Sequence, residues 1–388
     1  MAESKKPRRE YGDGSIYQRK SDGRFVGSFY AQDGSRKYVY GDTRAEAKKK
    51  LAEAQKQDES GTLVPVDKQT FAHYLEEWLE ARKRVWEPLT YQGNAQQIRH
   101  HIIPSLGTIK LQKLTMQHVQ KFINGLSDDE ELASSSVRLI HQILKTALAE
   151  AVKKKLMSTN PCVGITLPRV EEREYVILTA EQSQQFLETV KGHKLEGLVT
   201  LALATALRRG ELLGLQWEDV DLEEGTLQVR HNLTHTSMKR AGRQGFNNGS
   251  PKSQSGKRTI PLVPFAIDTL KEHRKRQFEQ HLRASQWEER NLVFPNRRGG
   301  YQYPACVDRD FKQLITTLGL SEEMRLHDLR HSCATLLLSK GIPPNVVQKI
   351  LGHAKVSTTL IIYGHVLPGG QKEAMKLYNA LLTEKKAQ

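Results

Sequence analysis

The spacing of apolar residues changes from a strand-like to a helix-like pattern near residue 70. Before that point, short runs of β-branched and aromatic residues are separated by turns that contain Asp, Ser and Gly. These runs predict three strands, at 15–19, 25–31 and 37–40. Thr43 is a suitable N-cap for a helix over 44–51. We therefore predict a three-stranded sheet with one helix within residues 1–60, followed by a linker over 61–69.

Four stripes of apolar residues at helical spacing follow between residues 70 and 160. Their members are Phe71, Tyr74, Leu75, Trp78 and Leu79; Ile98, Ile102 and Ile103; Val119, Phe122 and Ile123; and Ile140, Ile143, Leu144, Leu148 and Val152. Each stripe is the apolar face of one helix, so residues 70–160 are predicted to form an all-α bundle. The run Lys153–Lys155 is either a solvated face or a contact with a polyanion. Residues 161–175 are predicted to be a connector.

Residues 176–388 are predicted to form a mixed, mainly α-helical domain with a small β-sheet. Within it, Leu and Trp recur at helical spacing over 205–217, which predicts one continuous helix. Residues 232–250 are rich in Gly, Asn, Arg and Ser, and this composition is typical of an extended loop. An amphipathic stretch at 371–382 predicts a C-terminal helix, for which packing on its own domain is the simplest interpretation.

The charge of the chain adds a class of partner to this picture. Its formal net charge is +15 at pH 7 over 388 residues. An excess of Lys and Arg favours nucleic acid, because binding phosphates releases counterions, although other polyanions also bind basic proteins. The three cysteines are too few for a disulfide framework, and the chain contains neither a signal peptide nor an apolar run of membrane-spanning length. We therefore expect no membrane association and an intracellular, reducing location.

Polar residues in the C-terminal half suggest phosphoryl transfer when they are considered together. They are Arg208, Lys252, His327, Arg330, His353 and Tyr363. Cationic and hydrogen-donating side chains can neutralise a phosphorane-like transition state, and a phenol can attack phosphorus. Taken singly, each has a simpler interpretation, such as an arginine that reaches solvent or a histidine at the start of a helix.

The reaction places specific demands on these groups. A free tyrosine has a pKa of about 10, so only roughly one in a thousand is ionised at neutral pH, equivalent to about 4 kcal/mol of barrier. His327 is a candidate base, while Arg208, Arg330 and His353 would bind the non-bridging oxygens. Lys252 would protonate the departing 5′ oxygen, with Lys257 as the competing candidate. We expect no metal and no other cofactor, because no cluster of residues has ligand spacing.

Three segments of the sequence resemble one known family, the tyrosine recombinases of the phage-integrase type. They are TALRRGELLGLQW at 205–217, PKSQSGKRTIPL at 251–262, and the region from His327 to Val366. The resemblance implies that Arg208 and Arg330 are the two catalytic arginines and Lys252 the hairpin lysine. It also implies that His327 and His353 are the two histidines and that Tyr363 is the nucleophile. Ala206 replaces a glycine that is usual before the first arginine, and a change in helix packing is expected from it.

The resemblance also carries expectations about function and partners. It implies a recombinase that forms a 3′-phosphotyrosyl intermediate and a Holliday junction, and that acts as a homo-tetramer on core and arm sites of double-stranded DNA. DNA-bending and directionality proteins are further candidate partners. The N-terminal sheet would be an arm-binding domain, with DNA contacts from Arg19, Lys20, Arg24, Arg36 and Lys37. The alternatives are a DNA-binding regulator without catalysis, an enzyme similar to type IB topoisomerases, and a metal-dependent nuclease.

Overall fold

The protein consists of two compact units, residues 1–172 and 173–388. The computed structural model describes residues 14–32, 34–59, 69–129, 132–170, 174–236, 245–251 and 254–364, and also residues 375, 376, 378, 379 and 382. The finer division into three domains with a linker and a connector stays a prediction.

Unit 1 begins with the predicted three-stranded sheet and helix, which are confirmed. The elements are β1 (Ser15–Gln18), β2 (Phe25–Tyr30), β3 (Arg36–Gly41) and α1 (Arg44–Glu59). Both strand pairs are antiparallel, in the order β1-β2-β3. One face of the sheet packs on α1 through a small core that includes Phe29 and Leu51. A module of this size buries few side chains, so its stability depends on this small core.

The opposite face of this sheet carries aromatic side chains at the surface. Tyr17, Tyr30, Tyr38 and Tyr40 are between 47% and 71% exposed. Tyr30 pairs with Arg36, and the Arg36 guanidinium lies 5.7 Å from the ring centre of Tyr30. Side chains alternate along a strand, so the tyrosines share this face with Arg36. Lys37, the next residue along β3, lies on the face toward α1.

The remainder of unit 1 is the predicted helical bundle. Its helices are α2 (Phe71–Arg82), α3 (Pro88–Gln97), α4 (Ile103–Leu106), α5 (Met116–Ser127) and α6 (Ser134–Lys153), with a π-helical turn at Ile98–Ile102 and a 3₁₀ turn at Leu111–Lys113. All four predicted stripes pack into one apolar core. At its edge, Nε1 of Trp78 donates a 2.7 Å hydrogen bond to Glu150, which joins α2 to α6. The bundle prediction is therefore confirmed.

Unit 2 is mainly helical, as predicted, and its described residues form two small sheets where one was expected. Its helices are α7 (Ala180–Thr189), α8 (Glu196–Thr205), α9 (Arg209–Gly214), α10 (Pro264–Arg283), α11 (Pro304–Thr317), α12 (Leu326–Ser339), α13 (Pro344–Leu351) and α14 (Val356–Tyr363). Its strands are β4 (Val220–Asp221), β5 (Thr226–Val229), β6 (Asn232–Thr236), β7 (Gly245–Gly249) and β8 (Arg258–Pro261), arranged as β4-β5-β8 and β6-β7. Because α8 is apolar on nearly all sides, it lies buried and packs against α10 and α12.

The prediction of one helix over 205–217 is wrong. Helix α8 ends at Thr205, Ala206 has a left-handed backbone with φ of 54°, and α9 begins only at Arg209. Apolar residues continue on both sides of the break, so their spacing could not reveal it. A non-glycine residue in the left-handed region costs roughly 1–2 kcal/mol, so a glycine at position 206 would be less strained than the alanine of this chain.

The prediction of an extended loop over 232–250 is also wrong, because strands β6 and β7 pair within it. The hairpin is held against α9 by Asn248, whose Nδ2 donates a 3.0 Å hydrogen bond to the carbonyl of Gly214. A Cβ atom on Gly214 would lie only 2.3 Å from Oδ1 of Asn248, so this close approach requires glycine. Leu233 of the hairpin lies in the core of unit 2. Tertiary contacts therefore determine a strand structure that the polar composition concealed.

Candidate active site

A buried carboxylate, Glu211, lies at the start of α9 and binds two arginines. Nη1 of Arg208 donates to Oε1 of Glu211 at 2.8 Å, and the backbone nitrogen of Arg208 donates to Oε2 at 3.0 Å. Arg258 donates through Nη2 to Oε2 at 2.8 Å and through Nη1 to Oε1 at 3.2 Å. Burial by itself would raise the pKa of Glu211, but the hydrogen bond and charge of Arg258, followed by Arg208, bring this pKa below its ordinary value. Glu211 is therefore an anion that holds both guanidinium groups.

The same two arginines reach the loop that follows α13. Nε of Arg258 donates to the carbonyl of Ile350 at 2.7 Å, and Nη2 of Arg208 donates to the carbonyl of Gly352 at 3.1 Å. Gly352 has a left-handed backbone with φ of 64°, and a Cβ there would lie 2.7 Å from Nη1 of Arg258. Glycine is therefore required for both conformation and space. The loop, α9 and β8 are thereby joined around one carboxylate.

Arg330, on α12, approaches this loop from the protein interior. It is 2% exposed and donates through Nη1 to the carbonyl of Ala206 at 2.6 Å. Its Nη2 donates to the carbonyl of Leu351 at 2.8 Å and lies 3.0 Å from Nε2 of His353. Desolvation, followed by the charge of Arg208, lowers the pKa of Arg330 to about 10. Arg330 consequently remains a cation at neutral pH.

The hydrogen bonds of His353 define its tautomer. A guanidinium can only donate, so Nε2 of His353 accepts from Arg330 and Nδ1 carries the proton. Nδ1 then donates to Oγ1 of Thr359 at 2.9 Å. Desolvation, followed by the charges of Arg330 and Arg208, lowers the pKa of His353 to about 4. His353 is therefore neutral at pH 7.

Tyr363 ends helix α14 and is 2% exposed. Its hydroxyl lies 2.8 Å from Nδ1 of His331, a residue for which the sequence analysis predicted no role. The ring of His331 stacks on that of Tyr175, with 3.8 Å between the ring centres. Burial raises the pKa of Tyr363 above its ordinary value. The phenol is thus protonated and enclosed by protein in this structure.

His327, the predicted base, lies in the first turn of α12 and is exposed to solvent. The ring centre of His331 is 5.0 Å from that of His327 and 5.5 Å from that of Tyr363, so His331 neighbours both residues. Partial desolvation, followed by the charge of Arg330, lowers the pKa of His327. The sequence signal that could have indicated His331 is its position, one helical turn after His327 and directly after Arg330.

Lys252 lies outside the described residues, so its predicted place remains a prediction. Lys257, the competing candidate, is exposed at the residue before β8. Among the residues with described positions, no group of three or more His, Cys, Asp or Glu side chains is placed to hold a metal ion. Over the same residues, no helix combines the length and apolar character that crossing a membrane requires.

The low pKa of His353 predicts a loss of stability in acid. The unfolded chain binds a proton on His353 below about pH 6.5, whereas the folded protein binds it only near pH 4. Stability from this residue is therefore complete above about pH 6.5 and decreases as the pH falls toward 4. Urea unfolding at several pH values should show a smaller decrease for His353→Gln than for the wild type. The same pH dependence in both proteins would contradict this assignment.

The chain is similar to known proteins over most of its length. Residues 177–369 match the model of the phage integrase family, and residues 70–127 match that of the phage integrase N-terminal SAM-like domain. The chain is 30% identical over 361 residues to a "Tyrosine recombinase XerC-like" protein of Caldanaerobacter subterraneus subsp. tengcongensis, covering 89% of this chain and 92% of that protein. It is 26% identical to an "Integrase" of Streptomyces ambofaciens, covering 92% of this chain and 93% of that one.

Solved structures share the fold. The Tn1549 transposon integrase in complex with a circular intermediate DNA superposes with a TM-score of 0.69 at 20% identity, covering 81% of this chain and 99% of that one. A lambda integrase dimer bound to a COC' core site superposes with a TM-score of 0.57 at 20% identity, covering 92% and 96%. These findings confirm the family resemblance. The chain belongs to the phage integrase family of tyrosine recombinases, enzymes that cleave and rejoin DNA strands.

Proposed function

We propose that this protein integrates or excises a prophage or another mobile element by site-specific recombination, with Tyr363 as the nucleophile. One observation carries the proposal. Arg208 and Arg330 donate to successive carbonyl groups, those of Gly352 and Leu351, and both lie beside His353. Two guanidinium groups and a neutral imidazole therefore converge within the unit that also contains Tyr363. The two guanidinium groups are donors suited to the non-bridging oxygens of a phosphodiester.

The proposed roles of the cationic residues follow from this convergence. Arg208, whose side chain is 36% exposed, would bind one non-bridging oxygen directly. Arg330 is buried and would bind the same phosphate from its inner side. His353 is held in its orientation by the hydrogen bond to Thr359. By analogy with oxyanion donors, loss of either arginine should slow cleavage about 100- to 1000-fold.

The proposed chemical step is a reversible transesterification. The Tyr363 oxygen forms a bond to phosphorus while the bond from phosphorus to the 5′ oxygen breaks. The phenol loses its proton, for which His327 is our candidate base, and the 5′ oxygen gains one from Lys252. Because the phosphotyrosyl ester keeps the energy of the broken bond, a 5′ hydroxyl of another strand can reverse the step without ATP. Strand exchange between two duplexes then gives a Holliday junction.

The burial of Tyr363 adds a condition to this step. Its hydroxyl is bonded to His331 and is enclosed by protein, so it cannot contact a phosphate on bound DNA in this conformation. We therefore propose that α14 moves when DNA binds and that the hydrogen bond to His331 breaks. The exposed apolar residues Leu360 and Ile361 on α14 show that this helix makes few contacts on its outer side.

For the N-terminal sheet we propose that the face with the tyrosines contacts arm-type DNA sites. Arg36 lies on this face, and the guanidinium of Arg19 is 5.8 Å from the ring centre of Tyr40. Lys37 pairs with Phe29 on the opposite face, toward α1. The sequence prediction placed both Arg36 and Lys37 on DNA, and we now assign only the first of them to this surface.

The assembly and location are proposed from the relatives. A lambda integrase of this fold has been solved as a tetramer bound to a Holliday junction, and we propose that this protein also forms a homo-tetramer on core DNA sites. DNA-bending and directionality proteins are proposed as further partners. Since the substrate is chromosomal or phage DNA, we place the protein on the nucleoid in the bacterial cytoplasm.

The nucleophile is tested with a duplex that carries a nick just downstream of the crossover position, taken from the DNA that flanks the gene. In EDTA and without ATP, the wild type should become covalently attached to the DNA 3′ end, and Tyr363→Phe should bind the duplex without attachment. A denaturing gel separates these outcomes. An adduct in the variant would contradict the choice of Tyr363. Binding without any adduct by either protein would support a regulator, and a requirement for metal would support a nuclease.

The assignment of the arm-binding face is tested by two neighbouring substitutions. Arg36→Ala should weaken binding to arm-site DNA and reduce the slope of log affinity against log salt by about one, because one phosphate contact is lost. Lys37→Ala is the matched control, since it removes the same charge from the opposite face. Equal losses in the two variants, measured by fluorescence anisotropy at several salt concentrations, would contradict the assignment.

The C-terminal tail is proposed to dock on a neighbouring protomer, although most of it lies outside the described residues. Truncation after Gly369 should reduce recombination and the population of tetramers on DNA, while monomer binding to a core half-site remains. Native gels and a recombination assay measure these effects. Full recombination by the truncated protein would show that the tail is not needed for assembly.

A further inference from the structure

Arg258 is a buried arginine at the start of β8 that the proposed mechanism does not use. Its side chain is 7% exposed. All three of its nitrogens are committed to protein acceptors: Nε to Ile350, Nη1 to Gly256 and Glu211, and Nη2 to Glu211. Because Nε, Nη1 and Nη2 all bond to acceptors of this chain, Arg258 would act through these neighbours and not through a contact with DNA.

The neighbours of Arg258 are the supports of the proposed phosphate site. Glu211 is shared with Arg208, and the bond to Ile350 fixes the end of α13 just before Gly352 and His353. The bond to Gly256 fixes the turn that leads into β8. Arg258 is therefore bonded to three separate segments, two of which carry residues of the proposed site.

Packing alone does not explain this arrangement. Burying a charged arginine has a large desolvation cost, and an apolar side chain of similar volume would often give equal or greater stability. An apolar side chain could fill the same space but could not orient a carboxylate. Only a planar guanidinium can bind both oxygens of Glu211 while bonding the backbone on its other edge. The geometry is therefore suited to orientation.

We propose that Arg258 is a positioning residue for strand cleavage, which holds Glu211, and through it Arg208, together with the loop of His353, in the arrangement that binds the scissile phosphate. This inference rests on the proposed role of Arg208. Without Arg258, Glu211 would keep only one cationic partner and could rotate with Arg208 away from the phosphate. The expected loss is in the rate of cleavage, about 10- to 100-fold as for other residues that orient a directly acting group, with little loss of DNA affinity.

The test is a double-mutant cycle in the full-length protein. Single-turnover cleavage of the nicked duplex and its binding affinity are measured for the wild type, Arg258→Ala, Arg208→Ala and the double variant. If Arg258 acts through Arg208, adding Arg258→Ala to Arg208→Ala should slow cleavage little further, because residues that share one salt-bridge network, here through Glu211, are not additive. Arg258→Lys keeps one charge without the two-oxygen contact and should show an intermediate rate. If Arg258→Ala does not fold, Arg258→Lys replaces it in the same cycle.

A matched control is Arg276→Ala. Arg276 also pairs with a glutamate of unit 2, at 2.8 Å from Glu196, and no hydrogen bond or ion pair of the described structure joins it to the proposed site. The Arg276→Ala protein should cleave at the wild-type rate. The inference is overturned if Arg258→Ala cleaves as fast as the control, or if the two losses multiply in the double variant. Wild-type cleavage by Arg208→Ala would instead overturn the role proposed for Arg208, and with it this inference.

Discussion

The ion pairs of Glu211 with Arg208 and Arg258 are the interaction on which the arrangement of the site depends. Glu211 is 3% exposed, so its charge is tolerated only because two guanidinium groups and one backbone amide bind it. The carboxylate in turn offsets the repulsion between the two guanidinium charges. Both arginines then reach the end of α13, where their bonds hold the loop of His353. A buried anion thereby organises a cationic site.

This arrangement also explains why the site tolerates so much positive charge before DNA binds. Arg330 stays protonated although it is buried, because its donors are bonded to the carbonyls of Ala206 and Leu351. Desolvation, together with the same positive charges, lowers the pKa of His353 to about 4, so this residue is neutral at pH 7. In the proposed site, Arg208 and Arg330 are therefore already held in place before a phosphate binds, which limits the reorganisation needed when charge develops in the transition state.

The sequence was informative where one residue type is required by chemistry or where apolar residues recur regularly. Helical spacing predicted the bundle of unit 1, and the motifs predicted Arg208, Arg330, His353 and Tyr363 as one set, whose roles remain proposals. The spacing of apolar residues could not show the break at Ala206, because both neighbouring helices are apolar. The roles of Arg258 and His331 depend on contacts between residues that are distant in sequence, such as Arg258 with Ile350. These contacts are determined by tertiary packing and are absent from any local pattern.

Glu211→Gln tests most directly whether this carboxylate organises the cationic site, because it keeps the shape of the side chain and removes its charge. If Glu211 organises the cationic site, single-turnover cleavage of a nicked duplex should slow strongly, and the protein should lose about 3–5 kcal/mol of unfolding free energy, because two buried or half-buried cations lose their counter-charge. DNA affinity should be kept, since the net positive charge increases. A folded Glu211→Gln protein that cleaves at the wild-type rate would contradict the account.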